Sequence, residues 1–490
     1  MSGRRMPSPS GDYWEPSVEG AEVPPPEGKR VPFGWSAYAV PAAGTGNSAQ
    51  WIWNRAAEIR GESVRLRMTV ALDAREDKVV ECYLLSSCRV LGSLDIRFSF
   101  PMQIYELPLS LSDAAAAVRE GVGFRMVKGE EPLWLFRETG EPGEVLLRPH
   151  LYVPGAAAAD LEEAFLGRFA SLASLQPFGW MEGCVLDGLS ALEEATGEER
   201  FKAAKRKHLA LFLPDGNRLT YEDPRTRPSD GTYYGIEATL PVAAIAEEFP
   251  SSAALEEATA FFDRLTDTDG VIMDGDTLSA EGCYTVAYPL AVLAACRHDP
   301  ALAASAVRQL EARRERLWLG DDLHLRWSTD GVRTFRNWAR AYVWYLLGLV
   351  KTVSVLSRSN MLTAEALEPW KDEFVRSARI AMRYVSDDGL WYSFLDDPAS
   401  GPETSGSAGI AAALAIGCRE RLLEADARGI AFLAYRTLMR YVTPDGLLTG
   451  CAQSNKNGEP LQREGYRVIF QMGMGLLGQL AAERIRGKRT

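Results

Sequence analysis

From about Gly155 to the C-terminus, apolar residues recur at i, i+3, i+4 and i+7 in segment after segment, the spacing that gives a helix one continuous apolar face. The pattern predicts twelve helices: near Ala159–Leu172, Trp180–Ala195, Glu198–Phe212, Tyr234–Glu247, Ser252–Leu265, Glu281–Cys296, Leu302–Leu317, Thr334–Leu356, Thr363–Val385, Thr404–Arg421, Asp426–Tyr441 and Arg463–Ile485. The even-numbered members are the more apolar and the richer in Gly and Ala, as expected of helices buried nearly all round. Asp-Gly pairs punctuate the series at Asp215, Asp269, Asp330, Asp388 and Asp445, while those at Asp187, Asp230 and Asp274 fall off the period. Asp-Gly favours a turn because Gly accepts φ > 0 and Asp can bond its own backbone. A long period with two helices per unit reads as a helical-hairpin repeat. Twelve helices, alternately inner and outer, make an (α/α)6 barrel of six helical hairpins. An open α-solenoid is the alternative. Gly473 and Gly475, inside the last helix, read as close-packing positions.

The texture before Gly155 differs. Residues 1–30 are rich in Pro, Gly, Ser and Glu and are expected to form a flexible tail. Residues 31–154 contain short β-type runs at Val64–Val70, Lys78–Leu85, Leu94–Phe100, Gly123–Val127, Leu133–Arg137 and Val145–Val153. Such punctuated runs predict an antiparallel, β-sandwich-like accessory domain. Chemistry-bearing residues are sparse there, so support or subunit contact, including homo-oligomerisation, is its expected role. The chain is then mainly α, with a tail (1–30), a β-rich domain (31–154) and a barrel (155–490).

Composition narrows the function. The net charge of −12 and pI near 5.2 argue against nucleic acid and anionic membranes as partners. An anionic small substrate stays open, because a local arginine cluster can reverse the field in a pocket. Seven scattered cysteines show no CxxC and no His-Cys metal spacing, so reduced thiols, a cytoplasmic location and no metal or cofactor are expected. The N-terminus has no apolar signal region, and no apolar run is long enough to predict a membrane span. The sequence has no P-loop and no GxSxG, and no GxGxxG falls at a βα junction.

If the even helices run parallel, their N-termini share one end of the barrel, where free N–H groups favour anions. Unusual polar and aromatic residues gather at those starts: Trp180 and Glu182; Tyr234 and Glu237; Glu281 and Tyr284; Trp338, Arg340 and Trp344; Glu403; Tyr466 and Arg467. A first-turn glutamate is often only a cap, and aromatic residues at helix starts often only pack a rim. Jointly they suit a sugar: aromatic faces stack on its ring, arginine forks bind carboxylates, and paired carboxylates cleave glycosides.

Several stretches resemble a known group. FGWMEGCVLDGLSALEEATGEERFKAAKRKHLALF is similar to the second and third helices of glycoside hydrolase families 88 and 105, the unsaturated uronyl hydrolases. EGCYTVAYPLAVLAACRHDPALAASAVRQL resembles their sixth-helix segment, and WARAYVWYLLGL their W-x-R-x-x-x-W helix. DDGLWYSFLDDP followed by ETSGSAG resembles their GLWY…E-[TA]-S motif. The resemblance spans about Leu161 to Ile485. It implies a metal-free (α/α)6-barrel enzyme that removes a terminal uronic acid from an oligosaccharide or glucuronide. Those families carry Asp at the position of Glu281, and Glu237 is the acid nearest their second Asp. Their active-site histidines have no counterpart beginning an inner helix. The two-domain layout and glutamate-for-aspartate pattern are closer to family 154, which contains β-glucuronidases on this type of barrel. The resemblance thus implies a β-glucuronyl hydrolase, with Glu281 as general acid and Glu237 as base or nucleophile. Arg340 and Arg467 would take the substrate carboxylate, and the aromatic residues would shape the sugar site. Burial beside Tyr284 favours the neutral acid at Glu281, whereas a helix N-terminus favours its anion. Hydration of a Δ4,5-unsaturated uronide, a non-catalytic carbohydrate-binding barrel and a sugar epimerase are the rivals. The last usually uses paired histidines, and only His150, His208, His298 and His324 exist here.

Overall fold

The computed structural model describes residues 5–8, 11–20, 23–46, 48–54, 59, 61, 63–139, 145–155 and 160–489. The rest of the expected tail, and Ala159 at the expected start of the first barrel helix, lie outside the described residues.

The N-terminal domain is a sandwich of two antiparallel five-stranded sheets. One runs β1 (Arg5–Ser8), β2 (Gly11–Trp14), β12 (His150–Pro154), β6 (Val64–Thr69), β9 (Ile104–Leu109) in spatial order. The other runs β3 (Ser17–Glu19), β5 (Ala49–Ile52), β10 (Val122–Lys128), β7 (Asp77–Leu84), β8 (Val90–Arg97). A ribbon of β4 (Ser36–Val40) and β11 (Leu133–Glu138) completes it. Along β7 burial alternates residue by residue, with Val80, Cys82 and Leu84 inward, the mark of a strand with one covered face. One helix, α1 (Leu111–Glu120), interrupts the β pattern. Ser110 caps it by accepting from the Asp113 amide, and its Ala-rich face is buried. The expectation of a flexible tail is corrected at residues 11–20. β2 and β3 are paired into the sheets, with Tyr13 and Trp14 buried. Composition over 30 residues hides two aromatic anchors whose pairing partners lie far along the chain.

The barrel closes. Its inner helices are α3 (Trp180–Thr196), α5 (Val242–Glu248), α7 (Tyr288–Arg297), α9 (Ala339–Arg358), α11 (Thr404–Arg419) and α14 (Gln471–Arg489). Each packs on the next, and α14 packs back on α3, so the open solenoid is excluded. Outside them lie α2 (Leu161–Phe169), α4 (Glu199–Phe212), α6 (Ala253–Leu265), α8 (Pro300–Leu317), α10 (Ala364–Met382) and α12 (Ala425–Leu438). The inner assignment of the even-numbered segments holds. At the α3–α14 seam a Cβ on Gly475 would come within 2.3 Å of the Cys184 carbonyl oxygen, and one on Gly188 within 2.5 Å of that of Gly475. Only glycine permits that approach. All five periodic Asp-Gly turns place their Gly at positive φ. By length and composition α9 could cross a membrane, yet 89% of its apolar stretch is packed inside the molecule as a barrel wall.

Three inner starts differ from the sequence reading. The fourth segment is a short 3-10 turn at Ile236–Ala238, and α5 begins only after Pro241, which cannot donate an amide. The eighth begins at Ala339, because Arg333–Arg336 is a strand. That strand, β16, joins β13 (Thr277–Ser279), β14 (Trp318–Leu319) and β15 (Asp322–Ser328) in a small sheet, and Asp330 sits in its hairpin. The twelfth is broken by Gly465 at φ 76° into a short α13 (Gly458–Arg463) and α14. Two further pairs, β17 (Tyr392–Phe394) with β18 (Asp397–Pro402) and β19 (Cys451–Ala452) with β20 (Arg467–Val468), lead into the barrel mouth. Just before α7, residues Cys283–Ala287 form a π turn. Pro289 follows it and has no amide to give to a tighter turn.

Candidate active site

A cavity of about 810 Å³ opens between the barrel mouth and the N-terminal sandwich. Barrel side chains Trp180, Tyr234, Trp338 and Trp344 line it, and the sandwich contributes Phe98, Phe100 and Arg75. The accessory domain is therefore a wall of the cavity, which the sparse chemistry of its sequence did not foretell. Gly179, at φ 122°, starts α3 against the opposite loop; a Cβ there would meet the Tyr234 hydroxyl at 2.7 Å.

Glu237 and Glu281 share this cavity. Glu281 begins the helical run that passes through the π turn into α7, and its Oε1 accepts from Asn455 Nδ2 at 3.4 Å. Burial, and then the nearby charge of Glu237, push its pKa above the ordinary glutamate value. Arg326 and Lys456 pull the other way. Glu237 accepts from the Lys456 ammonium at 3.0 Å. One side chain is thus poised to hold a proton beside another that is ion-paired, the division of labour that acid–base cleavage needs.

Arg340 supplies the opposite charge. Its guanidinium is 1% exposed, lies 4.6 Å from the Trp338 ring centroid, and donates to the carbonyls of Ala452 (3.1 Å) and Gln453 (2.5 Å). Among the described residues no carboxylate stands within ion-pair distance of it, and its Nε has no partner. Burial lowers its pKa, the signature of a cation short of counter-charge. The Trp344 indole N–H and the Tyr234 hydroxyl are likewise buried without partners. Three unsatisfied polar groups on the walls of one cavity are costly unless a ligand engages them.

Five expected site residues lie elsewhere. Glu182 is fully buried, bound to His208 Nδ1 and the Gln176 amide, each at 2.8 Å. Tyr284 is held inside the barrel by Asp187 and Gln479. Glu403 caps α11, accepting from the amides of Ser405 and Gly406, and also from the Ala452 amide. Tyr466 donates to the Asp95 carbonyl at 2.9 Å. Arg467 spends its donors on the carbonyls of Ser400, Gly401, Pro402 and Tyr466. Each is a polar residue at an inner-helix start whose bonds are structural. Sequence reasoning missed Lys456, Asn455 and Asp274 on loops, and Arg75 from the sandwich. Asp274 carried a signal, since its Asp-Gly pair breaks the period. None of the four histidines is on the cavity wall. Among the described residues one carboxylate cluster could suggest a metal, Glu193, Glu247 and Glu248, but the Lys205 ammonium already bonds all three.

Residues 317–486 match the model of Glycosyl Hydrolase Family 88. The resemblance is to a glycoside hydrolase. The family 88 match runs from the end of α8 to α14 and takes in Arg340, while Glu237 and Glu281 precede it. A Salmonella enterica protein described as a possible member of glycoside hydrolase family 105 shares the barrel, with 17% identity and a TM-score of 0.57. That alignment covers 72% of this chain and all of that one. A family 88 glycosyl hydrolase from Bacteroides vulgatus aligns with 17% identity and a TM-score of 0.52, over 67% of this chain and 97% of that one. An unsaturated glucuronyl hydrolase specific for heparin aligns over the same shares, with 12% identity and a TM-score of 0.52. No curated protein matches the sequence significantly.

Proposed function

We propose that the cavity hydrolyses a terminal uronosyl residue from an oligosaccharide or glycoconjugate, β-glucuronyl by preference. The observation that carries this reading is Glu281, its pKa raised by burial and by Glu237, beside the ion-paired Glu237 and in one cavity with the buried Arg340, which has no carboxylate within ion-pair distance among the described residues. Glu281 donates its proton to the glycosidic oxygen as the C1–O bond breaks. Glu237 activates the water or attacks C1, and the anomer first formed, read by NMR, distinguishes base from nucleophile. Arg340 binds the uronate, with Trp338 beneath its guanidinium and Trp180 and Trp344 against the ring.

A second reading is hydration of a Δ4,5-unsaturated uronide, favoured by the family 88 match and by the heparin-specific neighbour. The lack of a histidine on the cavity wall weighs towards the saturated substrate. A panel of nitrophenyl β-glucuronide, β-glucoside and β-galacturonide alongside unsaturated disaccharides tests both. Turnover of the glucuronide supports the first reading. Loss of double-bond absorbance with no release from saturated glucuronides selects the second, and no turnover of any uronide leaves a binding barrel.

Two further outcomes are expected. Arg340→Met should lower kcat/KM for a uronide about 10- to 100-fold, the value of one or two charge-assisted bonds. The matching neutral glycoside should lose nothing, and an equal loss on both would assign Arg340 a structural role. Lys456→Met removes a cation that holds the Glu281 pKa down, so that pKa should rise. Activity that needs the protonated acid is lost as pH rises through its pKa. The alkaline limb of kcat should therefore move to higher pH, and an unmoved limb would detach Glu281 from the acid role.

A further inference from the structure

The loop at residues 222–228, between α4 and α5, carries two arginines that the mechanism above does not use. Arg225 and Arg227 both line the cavity and are exposed. Among the described residues neither guanidinium has an acidic partner. Asp223, in the same loop, accepts through its Oδ1 from the backbone amides of Arg225 (2.7 Å) and Arg227 (3.0 Å), and Asp230 is bonded to Arg30. Between the two arginines, Thr226 is fully buried at φ 55° and its hydroxyl bonds Asp73 of the sandwich. The Arg30 amide bonds the Thr226 carbonyl at 2.9 Å, and the Arg75 guanidinium bonds that of Pro224. A strained backbone pinned by residues of the N-terminal region thus holds two like charges close together at the mouth. In a chain of net charge −12, two cations without acidic partners at one edge of a cavity are positioned to receive an anion. Lys29 and Arg75, also on the wall, are by contrast both bonded to Asp73.

We propose that Arg225 and Arg227 bind an anionic group, carboxylate or sulfate, on the sugar next to the terminal residue. Resting on the uronosyl-hydrolase reading, this makes the preferred substrate an acidic oligosaccharide charged on two successive units. Arg340 takes the terminal charge, and the loop arginines take the neighbouring one.

The test compares the wild type with the doubly substituted protein, Arg225→Gln and Arg227→Gln. The substrates are glucuronyl disaccharides whose second unit is a neutral hexose, a sulfated hexose or a hexuronate, together with nitrophenyl glucuronide. For the sulfated or uronate second unit, KM should rise about tenfold or more, the value of a lost charge-assisted bond, with kcat nearly unchanged. KM for the neutral hexose and the nitrophenyl substrate should stay put. Which anion is preferred follows from the two charged arms. Equal changes on charged and neutral substrates, or a wild type indifferent to charge on the second unit, would overturn the proposal. If the wild type cleaves no uronide, the function reading falls by itself. Calorimetric titration with the sulfated disaccharide then decides: tighter binding by the wild type supports the arginine site, and equal binding removes it.

Discussion

Glu281→Gln should lower kcat on a nitrophenyl glucuronide about 10²- to 10⁴-fold while the melting profile stays that of the wild type. The substitution keeps the shape of the side chain and its contact with Asn455, and removes the titratable proton whose binding burial and Glu237 favour. The size of the loss should depend on the leaving group. An aglycone of low pKa departs with little help and should be affected least, and one of high pKa most. A loss equal across the series would make Glu281 a nucleophile or base. Full activity in the variant would remove it from the chemistry.

The second large effect is on stability. Asp445 lies at the end of a periodic turn, fully buried, and accepts from Arg67 Nη1 (2.5 Å) and Nη2 (3.2 Å), the Tyr13 hydroxyl (3.0 Å) and Thr443 Oγ1 (2.8 Å). Arg67 and Tyr13 belong to the sandwich, so this is the clasp between the domains. Asp445→Ala leaves the buried Arg67 guanidinium with Glu106 as its remaining carboxylate, and should cost about 3–5 kcal/mol in denaturant unfolding. A loss below about 1 kcal/mol would mean that the clasp does not couple the domains. The clasp also shapes the acid limb. Arg67, outweighing burial, holds the Asp445 carboxyl far below its ordinary value. Its contribution is therefore present above the unfolded carboxyl pKa, about 3.9, and is lost as pH falls below it. His150, buried beside the same cations, is lowered to about 3. Unfolded histidine binds a proton already near pH 6.5, so stability should begin to fall there and continue falling towards pH 3. The wild type should show both phases, and Asp445→Ala only the first.

Much of the barrel was legible because each inner helix announces itself locally. Period 3.6, apolar residues all round and an Asp-Gly turn are properties of neighbouring residues. The hairpin strands that lead into α9 and α14 were not legible. Arg333–Arg336 and Arg467–Val468 are too short to show an alternation, and the helical spacing of the segments that follow them extends over their residues. The site was half legible for a related reason. Glu281 and Glu403 look alike in sequence, each a glutamate at an inner-helix start. Glu403 turns back to cap its own helix, whereas Glu281, in the same helical run as the π turn and α7, turns out to Asn455 across the cavity. Only the fold distinguishes them. Arg75 and Phe100 reach the cavity from a domain about a hundred residues upstream of the first barrel wall they face, and no local pattern could connect them.

The contact of α3 with α14 also sets when the molecule can become whole. Gly188 meets Gly475, so the last inner helix of the barrel to be made completes the packing of the first. Five inner walls can dock in order of synthesis, but until α14 has been made the apolar flank of α3 lacks its cover. Closing a loop of nearly three hundred residues is slow, and such exposed flanks invite association with other chains. Yield at high expression should therefore depend on temperature and chaperone supply more than the finished protein's resistance to denaturant would suggest.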